Sequence, residues 1–234
     1  MLSLNNLTIK LGDKKQVKTA GSLPIEKGLW ALVGRNGAGK STLIQTIIGV
    51  HPLESGTIEW QQRDLTLFNS KEKARIFSVV FTKPELFGNY GVEEVVALGR
   101  LPFQNVFGQH TDRDEMLIIE AMNTMGITNL QHQKFHTLSD GEKQLVMIAR
   151  AIAQDTPVII LDEPTAFLDV LNRKKIVHIL KEIARTKNKV ILYSTHDVDM
   201  IPDTCDGMLW IHEAVLQMSI GNTAIRNTLN NLFN

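Results

Sequence analysis

The run Gly34-Arg35-Asn36-Gly37-Ala38-Gly39-Lys40-Ser41 places glycines, a lysine and a hydroxyl at the spacing G-x-x-x-x-G-K-[ST]. Each residue type has a chemical reason. Glycines let backbone N–H groups curl around an anion with no Cβ in the way. A helix starting near Lys40 turns its positive end and unpaired N–H groups toward the same anion. Lys40 adds a point charge for β- and γ-phosphates, and Ser41 offers a hydroxyl to Mg²⁺. Gly34, Arg35, Asn36, Gly37, Ala38, Gly39, Lys40, Ser41 and Thr42 are therefore the expected nucleotide-binding set. The loop alone does not separate a kinase, a GTPase and an ATPase.

Two further clusters end apolar runs. Val158-Ile159-Ile160-Leu161 runs into Asp162-Glu163. A buried strand delivers such side chains to the carboxyl edge of an open α/β sheet, where ligands bind. Neighbours on an extended chain point to opposite sides, so the acids are expected to divide the work. Asp162 suits the Mg²⁺ shell, and Glu163 suits polarising the water that attacks a γ-phosphate. The run Val190-Ile191-Leu192-Tyr193-Ser194-Thr195 leads to His196. Histidine there can donate a hydrogen bond to the γ-phosphate and the attacking water. The other histidines have no such placement and are read as structural.

The elements that must hold these groups are legible in outline. Leu29 to Val33 reads as a strand before the loop. A helix from Gly39-Lys40 to Ile48 follows, stopped by Gly49. Leu2, Leu4, Leu7 and Ile9 alternate with one break in step, as in a half-buried strand. Gly12-Asp13 signals a turn, and Gly56 to Trp60 a strand. Thr111 with Asp114, and Ser139 with Glu142, resemble capping boxes. The helix after Thr111 is expected to bury Leu117, Ala121, Met122 and Met125. The helix after Ser139 is expected to bury Leu145, Ile148, Ala149 and Ile152. Beyond Pro157, strands 158–161 and 190–194 alternate with helices 171–184 and 198–203, and Met208 to Ile211 follows. The prediction is an α/β fold with a mostly parallel central sheet and a small N-terminal antiparallel β region. A helical insertion over about 84–155 interrupts a core of 1–83 and 156–234.

Composition sets bounds. The chain has 234 residues, 43% of them hydrophobic, and Lys+Arg of 25 balances Asp+Glu of 25. Such a chain can bury a full core, and it shows no disordered bias. Zero net charge argues against bulk nucleic-acid binding. The single cysteine, Cys205, excludes an internal disulfide and fits a reducing compartment. No apolar run approaches the ~20 residues of a membrane span. The N-terminus lacks the pattern of a signal peptide. The expectation is a soluble intracellular protein.

In this order the motifs resemble those of the ATP-binding-cassette (ABC) ATPase family. Leu138-Ser139-Asp140-Gly141-Glu142 is similar to its LSGGQ/LSGGE signature. Glu163-Pro164-Thr165 extends the acidic strand end as in the family. Phe167-Leu168-Asp169 resembles its D-loop, and Thr195-His196-Asp197 its switch histidine. The resemblance covers essentially the whole chain and implies a P-loop NTPase fold. It implies ATP and Mg²⁺ as ligands, with catalytic Lys40, Glu163 and His196 and metal-side Ser41 and Asp162. It further implies a head-to-tail dimer in which Ser139, Gly141 and Glu142 of one copy meet ATP on the other. Integral-membrane permease subunits would dock on the helical middle, with a substrate-binding protein reached only through them and no nucleic-acid partner. That places the chain peripherally on the cytoplasmic face of the inner membrane. Gly91-Val92-Glu93-Glu94-Val95-Val96-Ala97-Leu98-Gly99-Arg100-Leu101-Pro102-Phe103 resembles the importer branch serving iron–siderophores, haem and cobalamin.

Three positions depart from the family pattern. Thr82 stands where the Q-loop glutamine is expected, and is predicted to reach Mg²⁺ only through water. Leu11 stands where an aromatic would stack on adenine, so base discrimination is expected to be loose. Asp140 replaces a signature glycine. A carboxylate beside a triphosphate costs Coulomb energy unless turned away, and Asp140 is expected to be turned away, favouring the helix dipole. Competing functions fit less well. Soluble cassettes that work on nucleic acid usually carry two cassettes or long coiled-coil insertions. An assembly ATPase of the iron–sulfur type has the same minimal size, but the 91–103 stretch argues against it. A nucleotide kinase has no use for the signature segment.

Overall fold

The N-terminal strand keeps its hydrophobic alternation by bulging where the step breaks. In the computed structural model, which describes residues 1–12, 15–82, 88–104 and 108–233, β1 (Leu2–Leu11) buries Leu2, Leu4, Leu7 and Ile9. Between Leu4 and Leu7, Asn6 takes φ +48° and the pairing register shifts. A bulge of this kind returns the following side chains to the core face. β1 pairs antiparallel with β2 (Lys15–Thr19), β3 (Ser22–Ile25) and β5 (Ser55–Trp60). Gly56 sits against the bulge, where a Cβ would lie 2.5 Å from the carbonyl oxygens of Asn5 and Asn6. The Gly12-Asp13 turn falls partly outside the described residues, as does the expected boundary at 83 and 84.

The remaining elements follow in order. After β4 (Gly28–Gly34) and α1 (Lys40–Ile47), β5 leads to the two-residue β6 (Arg63–Asp64), α2 (Ser70–Ile76) and β7 (Phe77–Val80). Three helices follow, α3 (Val92–Ala97), α4 (Asp112–Met125) and α5 (Asp140–Ala153). Then come β8 (Val158–Leu161), α6 (Val170–Thr186), β9 (Val190–Ser194), α7 (Ile201–Thr204), β10 (Gly207–His212), β11 (Val215–Ile220) and α8 (Asn222–Phe233). The strand order is β6-β5-β1-β2-β11-β10-β4-β9-β8-β7, with β3 beside β1. β10, β4, β9, β8 and β7 run parallel. β11 pairs antiparallel with β10 and parallel with β2, so the antiparallel part is continuous with the parallel one and includes a C-terminal hairpin.

Each parallel strand feeds two cores, which is why it reads as an unbroken apolar run. Leu29, Ala31 and Val33 of β4, Ile159 and Leu161 of β8, and Ile191 and Tyr193 of β9 face α3 to α6 and α8. Trp30 and Leu32, Val158 and Ile160, and Val190 and Leu192 face α1 and β1. Both expected capping boxes form, at Thr111 and Ser139. Two face assignments shift. α4 buries Ile118 rather than Leu117, and Leu145 of α5 is only half-buried. The helix expected over 198–203 is the single turn of α7, with Pro202 among its first residues. α2 carries an unforeseen box, Asn69 with Glu72.

The stretch 91–103 does packing work. A Cβ on Gly99 would run into the carbonyl oxygen of Arg150, so glycine admits α5 at close range. Arg100 is buried; its Nε donates to Asp114 Oδ1 at 2.7 Å. Its Nη1 donates to the carbonyls of Ala153 and Gln154 at 3.0 and 2.7 Å, closing the end of α5. Burial alone would raise the Asp114 carboxyl, but hydrogen bonds from Thr111 and Arg100 outweigh it and bring it down to about 2.

Candidate functional site

β4, β9 and β8 lie side by side and parallel, so their carboxyl ends open on one edge. The loop from Gly34 springs from β4 and winds into α1. Gly39 precedes the helix at φ +104°, and a Cβ there would lie 2.8 Å from both methyls of Leu11. The residue is therefore held to glycine by conformation and by contact. A groove of about 330 Å³ follows the loop, lined by Asn36 to Thr42, by Lys10, Leu11 and Gly12, and by His51 and Glu163. His51 and Lys10 carried no motif in the sequence; folding alone brings them to the groove.

Lys40 is buried, and its Nζ donates to the Gly34 carbonyl at 2.9 Å. Burial lowers its pKa from the ordinary lysine value, opposed by the charges of Glu163 and Asp162. The Lys40 ammonium also lies 3.3 Å from His196 Nε2, and that nitrogen is 2.7 Å from Glu163 Oε1. One ring nitrogen cannot donate and accept at once. The shorter contact, to a carboxylate, fits Nε2–H donating to Glu163, with Lys40 facing both.

Asp162 and Glu163 are separated by backbone conformation, not only by strand alternation. Asp162 N–H still donates to the Val80 carbonyl at 2.8 Å, continuing the pairing of β8. Glu163 then turns to φ +51°. Asp162 is 4% exposed, whereas the Glu163 and His196 side chains reach solvent. Ser194, missed in the sequence, hydrogen-bonds to both acids. Its signal was the register: Leu161 pairs with Tyr193, so Ser194 falls beside Asp162.

The three departures each have a definite setting. Thr82 Oγ1 donates to the Asp162 carbonyl at 3.2 Å, tying the end of β7 to the end of β8. Leu11 packs on Gly39 and also lines a second, more apolar groove of about 690 Å³ with Val17, Arg35, Gly37 and Ala38. Asp140 points to solvent, its side chain 74% exposed and 3.6 Å from Lys143 Nζ.

Ser139, Gly141 and Glu142 do not line the phosphate groove of their own chain. Ser139 caps α5: its N–H and Oγ–H donate to Glu142 Oε2 at 2.9 and 2.7 Å. These bonds hold the Glu142 carboxyl below its usual range. A Cβ on Gly141 would stand 3.3 Å from Leu168 and 3.4 Å from the Phe167 carbonyl, so the first turn of α5 rests on the segment after Glu163.

Mg²⁺ is tested by the donor set. Among the described residues no three His, Cys, Asp or Glu side chains cluster to hold a metal alone. One hydroxyl, Ser41, and one carboxylate, Asp162, suit a small hard ion that keeps waters and takes phosphate oxygens. The residues fit.

Known proteins agree with this geometry. Residues 22–166 match the ABC transporter family. The iron(3+)-hydroxamate import ATP-binding protein of Bacillus subtilis is 31% identical over 199 residues, covering 85% of this chain and 74% of that one. The phosphonates import ATP-binding protein of Fusobacterium nucleatum is 34% identical over 217 residues, covering 89% and 87%. Among solved structures, a transporter described as of metal-chelate type, in an inward-facing conformation, superposes with a TM-score of 0.83 at 27% identity, covering 99% of this chain and 86% of that one. With its P-loop NTPase fold and this coverage, the chain belongs to the ATP-hydrolysing, ATP-binding subunits of the ABC transporter family.

Proposed function

We propose that this chain drives an importer for a metal chelate of the iron–siderophore, haem or cobalamin type. The observation that carries its chemistry is the cluster of Lys40, His196 and Glu163 at the mouth of the phosphate groove. Backbone N–H groups of the loop and the N-terminus of α1 bind the phosphates of ATP. Lys40, already desolvated, gives its charge to the β- and γ-phosphates. Glu163 orients the attacking water and takes its proton. His196 holds the Glu163 carboxylate until the γ-phosphate offers a second acceptor. Ser41 and Asp162 would hold Mg²⁺, which when bound neutralises charge on the phosphates. Thr82 keeps its hydroxyl on the Asp162 carbonyl and meets the ion only through water.

Dimerisation completes the site. Ser139 and Gly141 of a second copy close over the γ-phosphate, with Glu142 keeping the cap on α5. Loss of that phosphate reopens the pair. The helical segment about 84–155 is the face offered to the permease. Among the described residues no helix is long and apolar enough to cross a membrane, so docking on a permease keeps the chain at the cytoplasmic face. The metal-chelate reading is supported by the similarity to that transporter type and by the 91–103 stretch. Glu163→Gln is expected to bind ATP, lose hydrolysis and accumulate as an ATP-bound dimer; full hydrolysis would remove Glu163 as the base. Co-purification with the permease and mass analysis of the bound ligand tests the cargo. A phosphonate in place of a chelate would overturn that part alone.

A further inference from the structure

Ser194 ends β9 with no exposed surface, beside the two acids that end β8. Its Oγ is 2.6 Å from Asp162 Oδ1 and 2.8 Å from the Glu163 backbone nitrogen. The directions of these bonds are forced. A backbone N–H can only donate, so Ser194 accepts from Glu163 and spends its single proton on Asp162. Asp162 takes that proton as an acceptor, and Oδ1 is committed. Among the described residues its second carboxylate oxygen has no hydrogen bond partner. Asp162 is nearly wholly buried, which further limits rotation of the carboxylate.

We infer that Ser194 is a positioning residue that leaves Asp162 one free oxygen for a divalent ion, and that it thereby favours Mg²⁺ over Ca²⁺. This rests on the proposed placing of Asp162 on the metal side of the site. Mg²⁺ demands near-octahedral geometry and is satisfied by single carboxylate oxygens, phosphates and waters. Ca²⁺ takes six to eight oxygens and accepts a carboxylate through both. With Ser194 in place, Asp162 offers the first kind of ligand. Without the hydroxyl, Oδ1 is released, the carboxylate can turn, and both oxygens face the ion. The same hydroxyl holds the Glu163 N–H at a left-handed residue, so the base and the metal-side acid are aligned by one group.

The test uses the full chain carrying Glu163→Gln, so that nucleotide is not consumed. A fluorescent ATP analogue is titrated with Mg²⁺ and, separately, with Ca²⁺, and the ratio of half-saturating concentrations, Ca²⁺ to Mg²⁺, is read. Adding Ser194→Ala is expected to lower the ratio at least about fivefold. Ser194→Thr, which restores the hydroxyl, is expected to hold the ratio within about twofold of the parent. Ser194→Cys, close in size but a weak donor, is expected to shift it in the direction of Ser194→Ala and serves if the alanine variant does not fold. An unchanged ratio in the folded alanine or cysteine variant overturns the proposal. Asp162→Asn separates the two levels. If it abolishes the response to either cation while Ser194→Ala or Ser194→Cys changes nothing, Ser194 alone is wrong. If Asp162→Asn leaves the cation response intact, the placing of Asp162 fails and the inference falls with it.

Discussion

Leu11 lies over Gly39 with aliphatic methyls where an aromatic ring would give a nucleobase a flat partner. Stacking on an aromatic face is worth about 0.5–1.5 kcal/mol beyond buried area, and that selectivity is missing here. ATP and GTP are therefore expected to be hydrolysed with kcat/KM values within about fivefold of each other. Steady-state phosphate release with each nucleotide checks this, and a strong preference for ATP would show that other residues read the base. The neighbouring Gly39 tolerates no side chain. Gly39→Ala is expected to weaken nucleotide binding by about tenfold or more, since its φ of +104° and the Leu11 methyls both oppose a Cβ. Equilibrium binding of a fluorescent ATP analogue reads it directly. At this scale the phosphate loop and both acids were legible because their chemistry needs fixed residue types at fixed spacing. Lys10, His51 and Ser194 were not, since each arrives by folding from a segment with no pattern of its own.

The buried pair of Arg100 and Asp114 decides how α3, α4 and α5 hold together. Arg100 closes α5 while Asp114 caps α4, so one ion pair serves two helix ends. Asp114→Ala would strand a buried guanidinium and is expected to cost about 3–5 kcal/mol, measured by urea denaturation. The pH dependence has a definite sign. The folded carboxyl lies at about 2, below its model value of 3.8. Its contribution is complete above the unfolded value and is lost as pH falls through the folded one. Unfolding midpoints of the wild type and Asp114→Asn are expected to converge between about pH 4 and pH 2. The caps at Thr111 and Ser139 were readable because a capping box is a local signal. The role of Arg100 was not, because its partners at 114, 153 and 154 are distant in sequence. The resemblance over 91–103 thus reflects helix packing at Gly99 and Arg100, and its bearing on cargo is indirect.

Across the whole molecule, the sheet joins regions that the sequence presents as separate. β11 bridges the parallel strands to β2, and that join was hidden because β2, β3 and β11 are short and weakly patterned. The parallel strands were plain because burial on both faces writes them as apolar runs. The second copy expected over the nucleotide would meet the α5 start, where Asp140 faces solvent beside Lys143. Asp140→Gly is accordingly expected to leave ATP-driven dimerisation of the Glu163→Gln form within about threefold, since exposed charges are strongly screened. Sedimentation velocity with ATP measures it, and a tenfold tightening would place the carboxylate against the phosphate after all.

Lys40 already grips the carbonyl of Gly34, the first residue of its own loop. The loop is thus wound around a cation before any anion arrives. Nucleotide capture becomes an exchange of partners on a finished mould rather than the freezing of a loose chain. Little backbone entropy remains to be lost, so tight capture does not require slow ordering. Encounter, more than rearrangement, then sets the pace at which the first phosphate is seated.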